Sequence, residues 1–135
     1  MVRWGILGLG RAAHSFVNAI KEVENAQLAA IASLSKNKIL TFGKKFNIDK
    51  SLRFESYEDL INCNKIDAVY IATLNNKHAS LILKCIDAKK GILCEKPMIM
   101  TTTEHNQVFE KLYSSKVFFL ENIAYRSHPQ SIEIV

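Results

Sequence analysis

Apolar positions along the chain follow two patterns that alternate. Short continuous runs rich in Val, Ile and Leu recur at VRWGILG (2–8), QLAAIAS (27–33), DAVYIAT (67–73), GILCE (91–95) and KVFFLEN (116–122), with a shorter one near Phe54. Between these runs the apolar residues return every three or four positions, the spacing of one helical face. Ala13, Phe16, Val17 and Ile20 predict a helix from Ala13 to Glu22, and Ile39, Phe42 and Phe46 a second. A short helix follows Ser56, which suits an N-cap, and a longer one spans Lys77 to Ala88 with Leu81, Ile82, Cys85 and Ile86 inward. Thr101 and Glu104 have capping-box spacing ahead of a helix carrying Val108, Phe109 and Leu112.

The run 67–73 has no polar alternation, which is the signature of a strand buried on both faces. Such strands linked by helices predict an α/β fold, a doubly wound parallel sheet of about six strands in the order 3-2-1-4-5-6. Near the end, Pro129 is suited to open a helix, with Ile132 and Val135 starting an apolar face.

Composition narrows the picture. With 135 residues and 48% hydrophobic content there is room for one domain of ordinary size with a single filled core. No apolar run approaches the roughly 20 residues of a membrane span, and MVRWGILGLG is too short and too broken by glycine for a signal peptide. The expectation is a soluble, cytoplasmic chain without membrane contact. Cys63, Cys85 and Cys94 form no C-x-x-C pair, and an odd count argues against a disulfide framework; no metal site is expected. The net charge of +5 comes from scattered lysines without an aromatic-interleaved stripe, so solvated lysine faces are favoured over nucleic-acid binding.

The chemistry sits at the ends of the apolar runs. Gly8, Gly10 and Ala13 fill a G-x-G-x-x-A pattern at a strand end, opening a helix. Gly8 permits the tight turn, Gly10 lets a pyrophosphate approach the backbone, and Ala13 allows close packing. With Arg11 and Ala12, the helix N-terminus would face the phosphates of a dinucleotide. A plain structural glycine turn is the competing reading. Strand two ends in IASLSKNK without the acid that usually accepts from an NAD ribose. Ser33, Ser35, Lys36 and Lys38 would suit a 2′-phosphate, favouring NADP over NAD, unless they merely start the next helix. Strand four ends in ATLNNKHA, where Thr73, Asn75, Asn76 and His78 are either cofactor-facing or helix-capping and exposed.

Strand five ends in Glu95, Lys96 and Pro97. An ammonium there can donate to a developing alkoxide, or when neutral act as base in the reverse direction. Glu95 matters to this role according to which way it points. An ordinary surface turn is the alternative. Cys94 reads as a small strand-end residue.

GILGLGRAAH, IATLNNKHA and GILCEKPM, in this order and spacing, resemble the N-terminal domain of the Gfo/Idh/MocA oxidoreductases. ENIAYRSHPQ is similar to their dihydrodiol dehydrogenase and glucose-fructose oxidoreductase branch. The resemblance implies a Rossmann fold and hydride transfer between NAD(P) and a small-molecule substrate, a sugar, polyol or related alcohol. It implies that Lys96 reaches the substrate oxygen, that Glu95 orients the lysine and the nicotinamide ribose, that Pro97 follows a cis bond, and that Tyr125 and Arg126 belong to the cofactor-facing set. NADP-using members often carry an arginine where this chain has Leu34. It further implies that 1–122 is the dinucleotide domain and 123–135 the crossover into a substrate domain absent from this chain, which would then be truncated and weakly active. An apolar surface left by that domain would favour a homo-oligomer. The alternative function is a non-catalytic dinucleotide sensor or partner-binding module.

Overall fold

A computed structural model describes residues 1–133; Val135, placed above on a helical apolar face, lies outside the described residues. Six parallel strands form one sheet, in the order β3-β2-β1-β4-β5-β6. They are β1 (Val2–Leu7), β2 (Ala26–Ala32), β3 (Arg53–Phe54), β4 (Ala68–Ile71), β5 (Gly91–Glu95) and β6 (Phe119–Asn122). The helices are α1 (Arg11–Ile20), α2 (Lys36–Lys45), α3 (Tyr57–Ile61), α4 (His78–Asp87), α5 (Thr102–Ser114) and α6 (Pro129–Glu133).

Strand alternation divides the core into two layers. Leu7, Val69, Ile71, Ile92 and Cys94 face one side, where Leu60, Ile82 and Val108 of α3, α4 and α5 cover them. Ile6, Ile31 and Tyr70 face the other, beneath Val17 of α1 and Phe42 of α2. β4 is buried at every position, as its unalternating sequence predicts. Full burial of one such aliphatic side chain contributes about 1.5–3 kcal/mol.

The helix caps match their sequence signals. Ser56 accepts from the Asp59 N–H, and Thr101 and Glu104 form a complete capping box. The boundaries move for reasons of pairing. β4 stops at Ile71, where β1 ends opposite it at Leu7; its last partner on β5 is Cys94, and β5 runs one residue further to pair with β6. β6 begins at Phe119, opposite Ile92, so 116–118 of the predicted strand fall outside it, although the Phe118 carbonyl accepts from the Ile92 N–H at 2.8 Å. α1 starts at Arg11, two residues earlier than its apolar stripe suggests, because its first turn packs nothing but Ala13 into the core.

Candidate active site

Every loop considered above leaves the sheet at its carboxyl edge. After β1 the chain turns through Gly8 at φ +88°, a left-handed conformation that favours glycine. A Cβ at Gly8 would lie 2.6 Å from the Ala72 carbonyl oxygen, so the turn also needs the missing side chain. Gly10 is the N-cap of α1 without a side-chain cap, and a Cβ there would meet nothing within 4 Å. The first turn of α1 holds no acidic residue. Its unpaired N–H groups and the positive end of the helix dipole therefore open onto free space, an arrangement that fits a dinucleotide pyrophosphate.

That space is a cleft of about 430 Å³. Gly8, Gly10, Ser33, Ser35, Lys38 and Thr73 meet on it, from three different strand ends. Ser33 Oγ accepts from the Ser35 N–H at 3.2 Å, and Ser35 Oγ, the α2 N-cap, accepts from the Lys38 N–H. Both hydroxyls accept within the turn, which leaves their O–H groups able to donate. The lining contains no carboxylate. Lys36 points elsewhere, toward Glu55 at 3.3 Å.

The residues after β4 divide. Asn75 and Asn76 sit exposed in a short 3-10 turn and neither caps α4, whose N-cap is Lys77. His78 is neither cofactor-facing nor exposed. It is 0% exposed, with Nδ1 2.8 Å from the Pro97 carbonyl oxygen and Nε2 3.2 Å from that of Thr73. As the first residue of α4 it is buried, with both ring nitrogens facing backbone carbonyls.

Glu95, Lys96 and Pro97 line a second cleft of about 520 Å³, together with Glu121, Asn122 and Tyr125. The Lys96–Pro97 peptide is cis. Tyr70 donates its phenol to Glu95 Oε1, and Asn122 Nδ2 donates to the same oxygen at 2.6 Å. Glu95 is thereby committed to β4 and β6. Lys96 is exposed and makes no ion pair or hydrogen bond among the described residues. Burial, and then the Glu95 carboxylate, push the Tyr70 phenol well above its ordinary value, so it stays a donor. Burial likewise pushes the Cys94 thiol upward, and its sulfur lies 3.4 Å from the Glu95 carbonyl oxygen; it is no thiolate nucleophile. Arg126, in the short turn Ala124–Ser127, is exposed, as are Arg11 and Tyr125.

The ends of β2 and β5 are three strand spacings apart, about 14 Å across the edge. The two clefts thus stand over successive parts of one sheet edge. Residues 2–122 match the family model for Gfo/Idh/MocA oxidoreductases, described as an oxidoreductase family with an NAD-binding Rossmann fold. The chain belongs to this family.

Among relatives of this Gfo/Idh/MocA domain is trans-1,2-dihydrobenzene-1,2-diol dehydrogenase from Mus musculus, 35% identical over 130 residues, which cover 95% of this chain and 38% of the relative. The enzyme of the same name from Danio rerio is 34% identical over 98% of the chain and 40% of its own length. A 3-ketoreductase from Actinomadura kijaniata, solved with TDP-benzene and NADP, superposes with a TM-score of 0.88 at 25% identity, covering 98% of this chain and 42% of that one. The chain therefore spans about two fifths of the length of the curated relatives it matches.

Further residues line or hold the clefts of this Gfo/Idh/MocA domain, and of these only Leu34 falls at a position that the family resemblance marks. Leu34 and Leu74, 72% and 77% exposed, flank the first cleft. An apolar residue inside a polar loop just past a strand was the available signal. Tyr70, Glu121 and Asn122 hold the second cleft, and nothing local marks them, since Tyr70 reads as strand core.

Proposed function

We propose that this chain binds NADP and supplies the proton-handling side of an alcohol–ketone oxidoreductase through Lys96. The observation that carries the reading is an exposed ammonium, without a partner among the described residues, between a tethered Glu95 and Pro97, on a cleft along the same sheet edge as the glycine turn. A sensor or partner-binding module without catalysis would have no use for a lysine so placed.

A bound nicotinamide supplies hydride exchange with a carbon of the substrate. Lys96 does the complementary work, donating a proton to the alkoxide oxygen as a ketone is reduced and accepting it when an alcohol is oxidised. A positioned acid or base of this kind contributes about 10²–10⁴-fold in rate. The Glu95 carboxylate, engaged by two donors from β4 and β6, is drawn away from the ammonium and leaves it available. The Gly8 turn and the α1 N-terminus hold the pyrophosphate, Leu34 and Leu74 flank the adenosine end, and Thr73 faces the middle of the cleft. Tyr125 closes the far wall, with Arg126 beside it.

The preference for NADP over NAD rests on a ribose corner with Ser33, Ser35 and Lys38 and no carboxylate. The 3-ketoreductase neighbour, solved with NADP, points the same way. Substrates of the reading are sugars, polyols and related alcohols. A division near residue 122, with a crossover to a substrate domain beyond it, belongs to the same proposal, as does a reducing, cytoplasmic setting suited to three free cysteines. Titration with NADPH and NADH, followed by nicotinamide fluorescence, is expected to give tighter binding of NADPH. Tighter NADH binding overturns the cofactor preference, and binding of neither overturns the proposal.

A further inference from the structure

The peptide group between Pro97 and Met98 is held at both ends by side chains from other elements. Its carbonyl lies 2.8 Å from His78 Nδ1, at the start of α4. Its N–H donates to Glu121 Oε1, on β6, at 3.0 Å. Both ring nitrogens face carbonyl oxygens, which only accept, and a neutral ring has one N–H to give; the shorter contact assigns that proton to Nδ1, donating to Pro97. The opposite ring nitrogen faces the Thr73 carbonyl at 3.2 Å. Thr73 lines the glycine cleft and Pro97 lines the Lys96 cleft, so one buried ring joins the two walls.

Lys96 lies between this clamped peptide and Glu95, which is itself held by Tyr70 and Asn122. An exposed loop released at either point would sample several backbone conformations, each moving the ammonium. Proton transfer is sensitive to displacements of about 1 Å. We propose that His78 and Glu121 are positioning residues that clamp the Pro97–Met98 peptide, set where Lys96 stands over its cleft, and tie it to the wall of the nucleotide cleft. The inference rests on the role given to Lys96 above.

The test compares His78→Leu, Glu121→Leu and Glu121→Gln, the last of which keeps an oxygen acceptor for the Met98 N–H. Lysines are dimethylated with ¹³C-formaldehyde, and the Lys96 signal is assigned by its loss in Lys96→Arg. In the free protein both leucine variants are expected to shift the Lys96 signal, and Glu121→Gln to restore it. They are also expected to weaken NADPH about tenfold, the scale of one lost hydrogen bond, while adenosine 2′,5′-bisphosphate, which lacks the nicotinamide, holds within about twofold. An unmoved Lys96 signal overturns the clamp, as does an equal loss of both ligands by folded variants. If the unmutated chain binds neither ligand, the functional reading falls by itself and the Lys96 signal still decides the clamp. If buried His78→Leu fails to fold, half-buried Glu121→Leu carries the test.

Discussion

The phenol of Tyr70 donates to the carboxylate of Glu95, 25 positions later on the adjacent strand. Tyr70 is 2% exposed and stacked on Phe16 at 4.2 Å, so the donor is rigid and the carboxylate is drawn toward β4. This tether, with Asn122 on the same oxygen, answers which way Glu95 points.

Tyr70→Phe removes the donor and leaves Glu95 one partner short. Urea unfolding is expected to show a loss of about 1–2 kcal/mol. The native phenol titrates above its ordinary value of 10.0, so its stabilisation is complete below that pH and drains away as pH rises beyond it. Ultraviolet titration should show Tyr70 ionising only with unfolding, and the alkaline loss should be smaller in the phenylalanine variant.

Gly8 and Gly10 separate folding from binding. Gly8→Ala forces a Cβ against the Ala72 carbonyl at positive φ and is expected to cost roughly 1–3 kcal/mol in thermal or urea unfolding. Gly10→Val projects into open space and should leave the melting temperature nearly unchanged. Its cost is expected in NADPH titration, as a loss of more than about tenfold, because the added side chain occupies the phosphate cradle.

Leu34→Asp places a carboxylate at the proposed ribose corner of a cleft whose lining has none. Leu34 is 72% exposed, so the fold should not change. Fluorescence titration is expected to show NADPH weakened by about tenfold or more and NADH improved, since a carboxylate accepts from a 2′-hydroxyl and repels a 2′-phosphate. Equal loss of both cofactors would contradict the placement of the ribose.

The acid side of stability should depend on Asp67. Its carboxylate accepts from Arg3 Nε at 2.9 Å, Nη2 at 2.7 Å and the backbone N–H at 2.9 Å. The guanidinium hydrogen bonds hold it well below its ordinary value of 3.8. A depressed native value means the stabilisation is present above that ordinary value and is lost as pH falls beneath it toward the native one. Melting temperatures should fall with acid below that point, and less steeply in Asp67→Asn. Asp49, held down by Ser51, keeps a residual slope.

Sequence by itself determined the alternation of strands and helices, the sheet order, the glycine turn, and the Ser56 and Thr101 caps. All but the sheet order obey a short-range rule: side-chain period, the φ a residue tolerates, or a cap three positions away; the order follows from the restricted topologies open to strands linked by helices. Glu95 and Lys96 were legible as a charged strand end, and so was the absence of an acid after β2. Tertiary structure alone decided that His78 turns inward to Pro97, that Glu121 takes the Met98 N–H, and that Tyr70 and Asn122 claim Glu95. Those partners are 19 to 27 positions apart, and they meet only because β4, β5 and β6 lie side by side in register. A hydrogen bond depends on distance and angle at its two atoms, and no local pattern of residues encodes which distant atom the fold will deliver.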